Sequence, residues 1–242
     1  DIVWLVLDRP ETLNALSGEM QSELLHALAA IPSTGARAMI LRGEGRSFCS
    51  GADLIRLPQD VDLADESATM EFMRGWAKVI LGIRQLPMPS VAAVAGHAYG
   101  GGLNLALACD MVVVADDVKL CQSYVDRGVP TDLAGSYILP RLVGWGRARR
   151  MLLGGEVIGG AEAVEIGLAS VLVELDSLYG TARSWAERLA SKDPAAMSAM
   201  RMLIDSGTEG SITGALEREG RAVASVLASP DVLRQLLGFR EG

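Results

Sequence analysis

Residues 95–106 read Ala95-Gly96-His97-Ala98-Tyr99-Gly100-Gly101-Gly102-Leu103-Asn104-Leu105-Ala106, a glycine cluster between a strand-like apolar run and a helical one. A second stretch stands earlier in the chain: Gly45-Arg46-Ser47-Phe48-Cys49-Ser50-Gly51-Ala52-Asp53-Leu54. It too follows a strand-like segment. Glycine permits dihedrals and close approaches that a Cβ forbids. At a helix start it leaves unpaired N–H groups pointing outward, with the positive end of the helix dipole behind them. Two such sites facing each other can hold a carbonyl oxygen that becomes negative during a reaction. Either stretch alone reads equally well as turn and packing glycine. Neither is a GxGxxG dinucleotide fingerprint or a GxxxxGK[ST] phosphate loop. Their order and their position after strands favour a ligand site.

Outward from these stretches the chain alternates short strands with helices, the pattern of an α/β fold. Ile2–Leu7, 38–41, 91–95 and Met111–Ala115 read as strands; 17–30, 66–86 and 103–108 read as helices. Beyond Gly128 the texture changes. Segments 134–153, 161–167, 177–190, 194–205, 211–227 and 230–238 are helical in pattern, with one strand at 169–173. The first ~130 residues thus form a strand-rich core and the rest a helical cover.

The 242 residues carry 22 basic and 30 acidic side chains, a net charge of −8. A field of that sign disfavours nucleic acid as the main partner. A small anionic ligand stays possible, because local Arg side chains and helix N-termini supply charge where it is needed. Cys49, Cys109 and Cys121 contain no CxxC pair, so a disulfide scaffold and a structural zinc site are not expected and a reducing, cytoplasmic compartment is. No apolar run approaches the ~20 residues of a membrane span. No signal peptide is visible.

The segments Leu7-Asp8-Arg9-Pro10 and Leu13-Asn14-Ala15-Leu16, with residues 45–54, 89–110 and 128–144 and a weaker match at 229–239, resemble the enoyl-CoA hydratase/isomerase, or crotonase, superfamily over nearly the whole chain. The resemblance implies a spiral of ββα units over residues 1–180, then a C-terminal helical region over 181–242 that serves as cover and oligomerisation surface. It also implies homotrimers that pair into hexamers, an acyl-CoA ligand of fatty acid metabolism, and no cofactor beyond the coenzyme A of the substrate. The backbone N–H groups of Ala52 and Gly101 then form the oxyanion hole, and Arg9, Ala15, Gly51, Asp53, Leu54, Asn104 and Tyr124 line the substrate.

Members of this superfamily that hydrate enoyl thioesters use two glutamates to position and activate water. Asn104 and Tyr124 stand at those two positions. Asn does not titrate, and an ordinary Tyr, with a pKa near ~10, is a poor base at neutral pH. Two-glutamate hydration is therefore not expected. Asp132 stands where isomerase-like members carry a proton-shuttling aspartate and thioester dehalogenases a nucleophile; its rival reading is an N-cap of the following helix. Only 5% of the chain is aromatic, which ranks the dehalogenase reading low.

Other residues are read more quietly. His97 packs, His26 is solvated, and Asp53 braces its own loop. Tyr124 is read as a hydrogen-bond donor in the acyl pocket. Arg9 and Arg56 are either coenzyme A phosphate contacts or solvated charges, while Glu11 and Ile55 fill positions where the family often has lysines. Residues 58–66 form an acidic loop expected to be mobile. The leading expectation is double-bond isomerisation with Asp132 as acid and base. The rival is a non-catalytic acyl-CoA carrier or sensor, and a third possibility is hydration or hydrolysis with Asp132 activating water.

Overall fold

The computed structural model describes residues 1–207, 210–229 and 232–233, and the chain winds through them in successive turns. The first turn is β1 (Ile2–Leu7) and α1 (Gly18–Ala30), with Ser17 as N-cap accepting from the Met20 N–H. The second is β2 (Ala38–Gly43), the short α2 (Leu57–Asp60) and α3 (Glu66–Arg84), capped by Asp65. The third runs through β3 (Ser90–Val94), β4 (His97–Tyr99) and α4 (Gly101–Leu107). The fourth runs through β5 (Met111–Ala115), β6 (Lys119–Cys121) and α5 (Gly135–Gly154), which is interrupted at Gly144. Then follow β7 (Val157–Gly159), α6 (Gly160–Glu165), β8 (Val171–Val173), α7 (Leu178–Ala190), α8 (Pro194–Ser206) and α9 (Ile212–Leu227).

Five strands form one sheet in the order β1-β2-β3-β5-β8, and every neighbouring pair is parallel. Met39, Leu41, Ala92, Val94, Val112 and Val114 face the main core, where Phe48, Leu103 and Leu105 also pack. Their neighbours Ala38, Ile40, Val91, Ala93, Val113 and Ala115 face the other way, onto Leu178, Ala182 and Ala186 of α7. Both faces are covered, so these strands read as continuous apolar runs rather than alternating ones. Each fully buried Leu, Ile or Val here is worth ~1.5–3 kcal/mol. The boundary drawn from the sequence between residues 180 and 181 falls inside α7, whose small-residue stripe closes the outer face of this sheet.

The second sheet is smaller, in the order β4-β6-β7. Single bridges extend it: Cys49 pairs with Ala98, and Leu16 with Ala52. Through these bridges every turn of the spiral contributes a short extended piece to one layer. Sequence patterning marks the first sheet and misses the second, because three-residue strands are too short to display a period. The helix expected at 230–238 lies, apart from 232–233, outside the described residues.

Candidate active site

The two glycine-rich stretches meet at the end of the small sheet. Leu16 donates its N–H to the Gly51 carbonyl (2.8 Å), and its own carbonyl accepts from the Asp53 N–H (2.9 Å). In a parallel bridge of this kind the residues flanking Ala52 make both hydrogen bonds, so the Ala52 N–H points to the opposite edge. On that side lies the start of α4. Tyr99 N–H donates to the Cys49 carbonyl (3.0 Å), which brings residues 49–51 alongside 99–101. Gly51 has φ +90°, and a Cβ there would come within 2.8 Å of the Tyr99 carbonyl oxygen and 4.0 Å of the Gly101 nitrogen. Gly101 is the first residue of α4, so its N–H lacks an intrahelical acceptor. Neither the Ala52 nor the Gly101 N–H meets an acceptor among the described residues. Two free main-chain donors therefore converge beside Gly51, a geometry suited to an oxyanion.

The loop carrying Ala52 is held from behind. Arg9 donates to the Ala15 carbonyl (3.1 Å) and to the Asp53 carboxylate (3.3 Å), one on each side of the Leu16–Ala52 bridge. Asp53 also accepts from the Arg56 N–H (3.1 Å), so it braces its loop as the sequence reading expects. Asn14, buried with φ +55°, accepts from the Arg9 N–H and donates to the Glu44 and Ser47 carbonyls. Arg56 pairs with Glu19 at 3.5 Å. Both arginines considered for coenzyme A phosphates thus have carboxylate partners in the protein. Leu54 and Ile55 are exposed, and the acidic loop is tied to α1 where Asp60 accepts from the Gly18 N–H (2.7 Å).

Asp132 stands over the other side of Gly101. A Cβ on Gly101 would lie 3.8 Å from Asp132 Oδ1, 3.5 Å from Leu133 and 3.0 Å from Leu16. The carboxylate and the hole therefore border the same small space, walled by two leucines. Asp132 caps no helix. Helix α5 starts at Gly135 behind Ala134, without a side-chain cap. Leu133 and Ala134 are both left-handed (φ +46° and +64°), a strain on the order of 1–3 kcal/mol each. That reversal turns the chain so that the Asp132 carbonyl accepts from the Gly135 N–H (2.8 Å) while its carboxylate faces inward.

Asn104 and Tyr124, the two positions at which the family resemblance implies glutamates in hydratases, adjoin this carboxylate. Tyr124 donates its hydroxyl proton to Asp132 Oδ1. Asn104, fully buried, directs its Nδ2 to the Tyr124 oxygen (2.9 Å) and to the Asp132 carbonyl (2.8 Å). Gln122 Nε2 donates to Asn104 Oδ1 (2.8 Å). A Cβ on Gly135 would fall 2.5 Å from Asn104 Nδ2, so only glycine lets α5 begin against this amide. Burial pushes the Asp132 carboxyl above its ordinary range, against the opposing pull of the Tyr124 hydrogen bond. Burial, reinforced by the Asp132 charge, pushes the Tyr124 hydroxyl upward as well, so it stays protonated. Of the two, Tyr124 holds its proton and Asp132 is the group left to exchange one.

Sequence reasoning names Ala52, Gly101, Asp132, Asn104 and Tyr124, which lie side by side here, and Arg9, Ala15, Gly51 and Asp53, which lie in or behind the loop carrying Ala52, while Leu54 is exposed. It overlooks Gln122, Leu16 and Leu133, since a Gln at a strand end and two core leucines carry no distinctive spacing. Ser47 Oγ and His97 Nδ1 lie 3.2 Å apart, but Ser47 is buried and the His97 ring packs edge-on against Tyr99. Cys49 and Cys109 are buried, which pushes their thiols up to about 12 and leaves them inert. Among the described residues no group of three or more His, Cys, Asp or Glu side chains is placed to hold a metal ion, and no helix is long and apolar enough to cross a membrane.

Comparison with known proteins bears on the family and the fold. Residues 1–241 match the profile of the family described as Enoyl-CoA hydratase/isomerase. The chain is 36% identical over 240 residues to a "Probable enoyl-CoA hydratase" of Rhodobacter capsulatus, covering 98% of this chain and 88% of that one. A crystal structure of an enoyl-CoA hydratase from Polaromonas sp. JS666 superposes with a TM-score of 0.92 at 30% identity, covering 98% of this chain and 93% of the other. A Thermobifida fusca YX protein assigned as an enoyl-CoA hydratase, solved in complex with acetoacetyl-CoA, superposes with a TM-score of 0.85 at 29% identity, covering 93% and 91%.

Proposed function

The chain belongs to the enoyl-CoA hydratase/isomerase family, and from that premise we propose that it moves the double bond of an enoyl-CoA with Asp132 as the single acid and base. The observation that carries this reading is the shared space in which Asp132 Oδ1 and the Gly101 main chain lie side by side. The thioester oxygen of a 3-enoyl-CoA accepts from the Ala52 and Gly101 N–H groups. The Asp132 carboxylate takes a proton from the carbon next to the thioester, and the electron pair flows into a dienolate whose negative oxygen the two donors stabilise. Each such donor is worth ~2.7–4 kcal/mol at the developing charge. The protonated Asp132 then returns the proton two carbons further on, leaving a 2-enoyl-CoA. Coenzyme A is part of the substrate, and the residues named use no cofactor.

Hydration is disfavoured because neither Asn104 nor Tyr124 can ionise to activate water, and both are committed to hydrogen bonds within the protein. The same commitment favours a second reading, a carrier that binds acyl-CoA without turning it over. A spectroscopic isomerase assay with 3-enoyl-CoA substrates, run on wild type and Asp132→Asn beside calorimetric titration with acyl-CoAs, separates them. Turnover by wild type that is lost in Asp132→Asn, with binding retained, is expected. Equal turnover by both removes Asp132 from the mechanism, and micromolar binding without turnover makes the protein a carrier.

Assembly into trimers or pairs of trimers belongs to the same proposal. The exposed Met200, Ile204, Ile212, Leu216 and Val223 on α8 and α9 support it as an apolar surface, and sedimentation equilibrium tests it.

A further inference from the structure

The amide groups around Asp132 form a chain whose direction is forced. The Asp132 carbonyl oxygen can only accept, so the Asn104 amide atom 2.8 Å from it is the nitrogen. That leaves Asn104 Oδ1 facing Gln122, and the Gln122 atom 2.8 Å away is then its donor, Nε2. The two Asn104 protons go to the Asp132 carbonyl and the Tyr124 oxygen. With a lone pair of that oxygen occupied, the single Tyr124 proton is directed to Asp132 Oδ1.

One consequence is visible at the far end. Gln122 is fully buried, and its Oε1 has no hydrogen-bond partner among the described residues. Leaving a buried carbonyl oxygen unsatisfied is unfavourable. Turning the Gln122 amide over would set its oxygen against Asn104 Oδ1, which the Asp132 carbonyl keeps in place. The orphan oxygen is thus the cost of a polarity imposed from Asp132.

We propose that Gln122 and Asn104 form a neutral hydrogen-bond relay that locks the Tyr124 hydroxyl as a proton donor to the Asp132 carboxylate, which makes all three positioning residues for the acid–base group. The relay rests on the reading of Asp132 as that group, but its effect on Asp132 exists without substrate. Tyr124 is the titratable side chain facing Asp132, from the turn after β6. Helix α4 presents Asn104 and main-chain groups, and Thr131 adds a hydroxyl 3.5 Å from the Asn104 amide. No charged side chain faces the carboxylate among the described residues.

The test follows the Asp132 carboxyl by carbon NMR in ligand-free protein across pH, with Asp132→Asn assigning the signal. It compares wild type, Tyr124→Phe and Gln122→Met, with turnover of 3-enoyl-CoA measured alongside. Tyr124→Phe removes the donor that favours the charged form, so the Asp132 midpoint moves up and turnover falls about 10- to 100-fold at neutral pH. Gln122→Met touches neither Asp132 nor Tyr124. It frees Asn104 to turn, moves the midpoint the same way by a smaller amount, and lowers kcat with little change in KM. Midpoints equal to wild type in both folded variants overturn the relay, whatever the activity. Should Gln122→Met fail to fold, an unmoved midpoint in Tyr124→Phe alone overturns it. Shifted midpoints without turnover in wild type keep the relay and sink the isomerase reading.

Discussion

The Ala52–Gly101 pair is built from main chain, whereas the cluster beside it is built from four side chains at positions 104, 122, 124 and 132. The pair depends on where the backbone can go: Gly51 at φ +90°, a parallel bridge to Leu16, and a helix that begins at Gly101. The cluster depends on which proton points where. A main-chain donor keeps its chemistry when its side chain changes, so such a hole can serve many reactions on one kind of ligand. A side-chain cluster loses or changes its chemistry with each replacement. Under the proposed function the first region identifies the ligand class and the second selects the reaction.

The largest expected effect breaks the second region. Asp132→Asn lowers turnover of a 3-enoyl-CoA by ~10²–10⁴-fold, the span general acid–base catalysis contributes, while acyl-CoA affinity by calorimetry stays within a few-fold. Breaking the first region comes next. Gly51→Ala places a Cβ 2.8 Å from the Tyr99 carbonyl oxygen at a φ unfavourable for alanine, and so displaces the Ala52 N–H. Its kcat falls by ~10²–10³-fold, as when an oxyanion donor is removed. The asymmetry is informative, because Asp132→Asn leaves the hole able to bind an enolate analogue and Gly51→Ala does not.

A smaller effect tests the support behind the hole. Arg9→Met leaves the buried Asp53 carboxylate without its cation and the Ala15 carbonyl without its donor. Denaturant unfolding then shows a loss of about 1–3 kcal/mol, and turnover falls by roughly tenfold or less through misplacement of Ala52.

The smallest effect concerns stability and pH. Burial raises the folded pKa of Asp132 above its unfolded value, so the folded chain holds the proton more tightly than the unfolded one. Stability from this group is complete below the ordinary aspartate range and declines as pH rises through the folded value. Urea melts of Asp132→Asn against wild type therefore show a relative gain at neutral pH that is absent in acid. A relative gain in acid instead would contradict the raised pKa.

The two regions were also unequally legible. Gly51, Gly100, Gly101 and Gly102 announce the hole because the constraint is local: a tight turn and a helix start need residues without a Cβ. The large sheet was legible for a related reason, since β2, β3 and β5 are buried on both faces and carry unbroken apolar runs at 38–41, 91–94 and 111–115. The small sheet was hidden by three-residue strands and single bridges such as Leu16–Ala52. Asn104, Tyr124 and Asp132 could be named from the family resemblance, yet their mutual bonding could not, because its direction is set by an Asp132 carbonyl brought round by Leu133 and Ala134 in left-handed conformations. The N-cap reading of Asp132 was reasonable on local grounds. It gave way because α5 starts two residues later than a cap at Asp132 would require.

The central claim is that Asp132 is the base working against the Ala52–Gly101 hole. The pH dependence of kcat/KM reports the ionisation of the essential base in the free enzyme. Measured with a 3-enoyl-CoA beside the carbon-NMR titration of Asp132, kcat/KM is predicted to rise with pH along an acid limb whose midpoint coincides with that of Asp132, above the ordinary aspartate range. A limb that stays at the ordinary carboxylate value while Asp132 titrates higher, or a rate without an acid limb, would contradict the account.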